Sequence, residues 1–128
     1  MIGGIDKERR VLVVDADPRS LELMAVALID SGFSVRTADS AAEAIDEARR
    51  LPPALVLSEA EMPGTDGFEL CAQLRREPSL GAVPVVLLSS RATGPRDRER
   101  GVTVGISDYL AKPIDLPGLV RLLHRLST

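Results

Sequence analysis

Charged and hydroxyl side chains stand directly behind runs of apolar ones. Asp15 and Asp17 follow Val11-Leu12-Val13-Val14, and Glu59 and Glu61 follow Leu55-Val56-Leu57. Ser89 and Ser90 follow the stretch from Val83 to Leu88, and Lys112 follows Tyr109-Leu110-Ala111. Short, continuous apolar runs are what parallel strands covered on both faces look like. If they are strands of one sheet, two carboxylates, a hydroxyl and an ammonium converge at its carboxyl edge, where open α/β sheets hold their ligands. Other chemistries lack their parts: there is no glycine-rich phosphate loop after the first run and no Ser/His/Asp triad. His124, the sole histidine, has no partner at metal-ligand spacing and reads as a surface residue, while Cys71 reads as an inert core residue.

The elements that must position these groups alternate in period. Phe33-Ser34-Val35 and Tyr109-Leu110-Ala111 are the weaker strand candidates. Between the strands, Leu21/Met24/Ala25/Leu28, Ala41/Ala44/Ile45/Ala48, Leu70/Cys71/Leu74 and Leu116/Leu119/Val120/Leu123 repeat every three or four residues, placing one apolar stripe against a sheet. Asp17-Pro18 supplies an N-cap and a first-turn proline, and Ser40-Ala41-Ala42-Glu43 has the form of a capping box. Gly32 falls where a left-handed cap is wanted, and Pro52-Pro53 stops the second helix. Residues 91–105 carry Gly94-Pro95 and a Val-Thr-Val run between glycines, which predicts a short or irregular fourth helix. The β-α alternation predicts a doubly wound parallel sheet of five strands with helices on both faces.

At 128 residues the chain is read as one domain, with residues 1–8 expected to be a disordered tail. It is 45% apolar and 27% charged with a net charge of -3, which argues against nucleic acid and anionic membranes as partners. One cysteine excludes an internal disulfide, no apolar run reaches the ~20 residues of a membrane span, and MIGGIDKERR lacks the apolar core of a signal peptide. A cytoplasmic chain with protein partners is expected.

VLVVDADP, PALVLSEAEMPGTDGFEL, VPVVLLSS and GISDYLAKPID, in this order, resemble a bacterial response-regulator receiver domain of the flavodoxin-like class along essentially the whole chain. The resemblance implies an aspartate at the tip of strand three that accepts a phosphoryl group and an acidic pair after strand one that holds magnesium. It also implies a Ser/Thr and a Lys on the phosphoryl oxygens, and an aromatic residue that reports the change. These roles fall on Glu59, on Asp15 with Ala16, on Ser89 and Lys112, and on Tyr109; Lys112-Pro113 is expected to be cis. Two positions depart from the pattern, since the acceptor is a glutamate and the second acid is an alanine.

The glutamate is longer by one methylene, about 1.5 Å of bond, and ~1 Å of misplacement costs on the order of 100-fold in rate. Losing a carboxylate at Ala16 weakens a magnesium ion that demands near-octahedral oxygens. The expectation is a pseudo-receiver without cofactor, its magnesium weak or absent, and without enzymatic activity of its own. A Glu59–Lys112 ion pair is expected to replace the metal's charge balance. Asp17 is expected to cap a helix, and Glu61 to point into solvent. Read alone, Ser89 and Ser90 also fit a plain strand end, and Tyr109 also fits core filling. Arg91, Arg96, Arg98 and Arg100, beside Ser107, Asp108 and Tyr109, form the expected docking surface for an acidic protein, a histidine kinase or an output or localisation protein. That side, helix four to helix five, also suits a homodimer. Two other readings stay open: an orthodox receiver still phosphorylated in a phosphorelay, with Asp15 and Glu59 recruiting magnesium, and a flavodoxin-like binder of a small ligand.

Overall fold

The computed structural model describes residues 9–91 and 94–127; the tail expected over residues 1–8 lies outside the described residues. The strands are β1 (Arg10–Val14), β2 (Ser34–Ala38), β3 (Leu55–Glu59), β4 (Val85–Ser89) and β5 (Asp108–Ala111). They alternate with α1 (Pro18–Asp30), α2 (Ala41–Arg50), α3 (Gly67–Arg76), α4 (Pro95–Val104) and α5 (Leu116–Leu126). All strand pairs are parallel, in the order β2-β1-β3-β4-β5, which is the flavodoxin-like α/β fold.

Because successive strand residues point to opposite faces, each buried strand feeds two cores. Leu12, Val14, Val56, Val85 and Leu87 pack with Ala44 and Ile45 of α2 and Leu70, Cys71 and Leu74 of α3. Val11, Val13, Leu55, Leu57, Val86 and Leu88 pack with Leu28 of α1 and Leu119 and Leu123 of α5. Both faces of the sheet are thus packed against helices, and the polar residues that follow the strands stand at its carboxyl edge.

The caps form as their sequences require. Asp17 accepts from the Arg19 N–H at 3.0 Å, and Ser40 Oγ accepts from the Glu43 N–H at 3.1 Å. Glu43 reaches back to the Asp39 N–H at 2.7 Å, one residue earlier than the usual box. Gly32, at φ 97°, provides the left-handed turn after α1.

Two expectations are corrected. α4 is a regular ten-residue helix, as long as α2 and α3, rather than a short or irregular one. Pro95 needs no N–H partner in a first turn, and Gly105, at φ 85°, closes the other end. Gly101 is buried where a Cβ would meet Ile106 Cδ1 at 2.5 Å, so the glycine that weakens the helix locally also lets it pack. His124 is no isolated surface residue, since its ring stacks on Phe33 with centroids 4.6 Å apart.

Candidate functional site

Backbone bonds between neighbouring elements aim each polar side chain at the carboxyl edge. The Asp15 N–H donates to Ala38 O of β2 at 3.1 Å, and the Ala60 N–H to Leu88 O of β4 at 2.7 Å. The Lys112 N–H donates to Ser89 O at 2.8 Å, and the Lys112-Pro113 bond is cis. The Ser58 hydroxyl donates to Glu59 O at 2.9 Å. Gly67, the first residue of α3, lies so close to the β3 tip that a Cβ there would sit 2.3 Å from Glu59 O.

Glu59 and Lys112 meet as expected, with Lys112 Nζ 2.7 Å from Glu59 Oε2, in a pair whose carboxylate is mostly shielded. Burial raises the Glu59 pKa; Lys112 opposes that rise, while Asp15 and Glu61 reinforce it. Burial likewise raises the Asp15 pKa, against the Asp17 N–H that donates to Asp15 Oδ1 at 2.9 Å and against the Lys112 charge. Asp17 turns to the helix as a cap, and its N–H and hydroxyl donors hold its carboxyl below the usual range. Ala16 is exposed and offers only a methyl group. Among the described residues no three His, Cys, Asp or Glu side chains gather as metal ligands would.

The expectation that Glu61 points into solvent is overturned. Glu61 Oε2 accepts a hydrogen bond from the buried Ser89 hydroxyl, which in turn accepts from the Arg91 N–H at 3.0 Å. Ser90 faces outward. Tyr109 packs edge-on against Phe68, with centroids 5.7 Å apart. Its hydroxyl is buried near Ser89 without a hydrogen bond of good geometry among the described residues, and burial raises its pKa. Cys71 is buried, its thiol 3.4 Å from Val104 O.

Arg91, Arg96, Arg98 and Arg100, the arginines expected to form a docking surface, are all exposed. Arg100 is tied down: it grips both oxygens of Asp66, at 2.9 and 3.2 Å, and lies 4.5 Å over the Phe68 ring. Asp66 is the N-cap of α3, so this grip joins α4 to α3. Asp108 accepts from the Tyr109 N–H at 2.8 Å, and Ser107 Oγ from the Val85 N–H at 3.2 Å, so both help place β5.

Sequence reasoning missed Arg75. Its guanidinium donates to Gly105 O at 2.7 Å, Val83 O at 2.8 Å and Gly81 O at 3.2 Å, closing the α4 terminus onto α3. At that position an arginine at the end of an amphipathic helix looks like any solvated basic residue. Also missed was an open cavity of about 290 Å³ beside Asp15 and Glu59, walled by α1, the sheet and the start of α5.

A parallel sheet of this order, with acids at the tips of its first and third strands and a lysine after its fifth, is the framework of a receiver. The chain belongs to the response regulator receiver domain family, whose model matches residues 11–124. It is 37% identical over 115 residues to a 14.6 kDa protein from the sodA1 3′ region of Leptolyngbya boryana, covering 90% of this chain and 87% of that protein. It is 38% identical over 106 residues to the response regulator PleD of Caulobacter vibrioides, covering 83% of this chain but 23% of PleD. The solved structure of chemotaxis protein CheY4 from Vibrio cholerae superposes with a TM-score of 0.86 at 28% identity, over 91% of this chain and 97% of that one. Receiver domains are generally non-catalytic modules of two-component signalling that interact with histidine kinases and output proteins. Among the described residues no helix is long and apolar enough to cross a membrane.

Proposed function

We propose that this receiver is a pseudo-receiver, a cytoplasmic protein-interaction module whose output does not depend on phosphorylation of Glu59. One observation carries the reading: Glu59 engages Lys112 and Glu61 engages Ser89, so the lysine and the hydroxyl expected on phosphoryl oxygens already hold carboxylates. Two glutamates divide between them contacts that one phosphoryl group would otherwise make. Each carboxylate has two oxygens and about half a phosphoryl group's charge, so the mimicry is partial, but it needs no transfer reaction.

The chemistry of transfer is weakened at both of its requirements. An in-line attack needs a positioned nucleophile, and the carboxylate of Glu59, one methylene longer than an aspartate's, is anchored to Lys112. Charge on the equatorial oxygens needs a cation, and the exposed Ala16 methyl stands where the second acid would ligate magnesium. Magnesium binding is therefore weak or absent, and no enzymatic activity resides in the domain. The signal enters through a protein partner, a histidine kinase or an output or localisation protein, that meets Arg91, Arg96 and Arg98 with acidic groups. The same side serves for homodimer formation, while the net charge of -3 disfavours nucleic acid.

Incubation with magnesium and acetyl phosphate, followed by intact-mass spectrometry, is expected to show no added phosphate. A stoichiometric adduct on Glu59 would sink the reading.

A further inference from the structure

We infer that the cavity beside Asp15 binds a small organic ammonium ion carrying an apolar body. The cavity, about 290 Å³, is close to the size of small-ligand pockets, ~300 Å³ and upward, and opens at the carboxyl edge of the sheet. Its floor is hydrocarbon, Leu57 and Leu88 from the strands and Met24 from α1. Facing residues of α1, Ser20 and Ala27, are too small to fill the space. At the mouth stand Leu23 and Leu116, 69% and 38% exposed and among the few large apolar side chains left in water. Covering them supplies a hydrophobic gain that the protein alone does not take.

The polar end decides the charge of the ligand. Asp15 and Glu59 line it with a single cation, Lys112, which is engaged by Glu59 Oε2. That leaves one uncompensated negative charge. Asp15 Oδ2 and Glu59 Oε1 accept no hydrogen bond among the described residues, and the Ser20 hydroxyl oxygen lies on the same wall. An ammonium brings three donors and one positive charge to these acceptors. An anion would be repelled, and a neutral apolar molecule would bury carboxylates without pairing them. A hydrated metal ion gains nothing from hydrocarbon walls, and the metal-like grouping of acids is lacking among the described residues. This inference holds whether or not the partner surface on α4 is used, because it concerns the opposite face of the sheet.

The test is to titrate hexylammonium chloride into the ¹⁵N-labelled protein and follow amide shifts, with hexanol, sodium hexanoate and magnesium chloride as separate arms. Saturable shifts are expected around Asp15, Leu23, Glu59 and Leu116 with hexylammonium, weaker ones with hexanol and none with hexanoate. Asp15→Asn should weaken hexylammonium binding about tenfold or more, the loss of a hydrogen bond to a charged group. Ala27→Leu, which fills the cavity, should abolish it; if that variant does not fold, Asp15→Asn alone decides. The inference is overturned if hexylammonium gives no saturable shifts, if hexanol binds as tightly, if Asp15→Asn binds unchanged, or if magnesium occupies the site and hexylammonium does not displace it.

Discussion

At the scale of single residues, the Glu59–Lys112 pair is a balance between burial and attraction. The raised Glu59 pKa says that desolvation outweighs the help Lys112 supplies. A carboxyl with a raised folded pKa binds its proton more tightly in the native state than in the unfolded one. Its stabilising contribution is therefore complete below the ordinary value of 4.5 and is lost as pH rises through the raised value. Asp15 acts in the same direction from its ordinary 3.8. Lys112→Met should push the Glu59 pKa higher still and cost about 1–3 kcal/mol at neutral pH, because it strands a shielded carboxylate. A carboxyl ¹³C titration, together with urea unfolding followed across the same titration, measures both effects. An unchanged Glu59 titration in the variant would refute the pair.

At the scale of elements, α4 owes its regularity to its neighbours. Arg100 fastens its middle to the α3 cap, and Arg75 fastens its end through Gly105. Intrinsic preference for Val102-Thr103-Val104 is unfavourable by only tenths of a kcal/mol per residue, whereas hydrogen bonds to a charged group contribute about 1.5–3 kcal/mol. The larger effect wins, and the helix runs its full length. Arg75→Ala is expected to lower stability by about 2 kcal/mol and to speed hydrogen exchange at the amides of residues 101–105 selectively. Uniform acceleration over the whole domain would mean that the arginine does not act on α4 in particular.

At the scale of the whole molecule, the sheet and its two cores were legible because they rest on periodicity. Leu55-Val56-Leu57 alternates between cores as any doubly covered strand must, and the caps at Asp17 and Ser40 are written in adjacent residues. The Glu59–Lys112 pair was legible because fold and spacing bring those strand tips together. Glu61–Ser89, Arg75–Gly105 and Phe33–His124 were not, since each joins distant segments through side-chain choices that carry no periodic signal. If the pocket is otherwise intact, the paired substitution Ala16→Asp with Glu59→Asp should create magnesium binding detectable by calorimetry. Failure of the well-folded double variant to bind would show that the departure runs deeper than those two positions.

The twofold fastening of α4 also bears on recognition. An acidic partner on the surface proposed at Arg96 and Arg98 would meet a helix already formed, so the backbone there would surrender little conformational freedom on contact. On that proposal, association is expected to be governed by collision and charge steering, fast and sensitive to ionic strength, instead of waiting for a segment to fold.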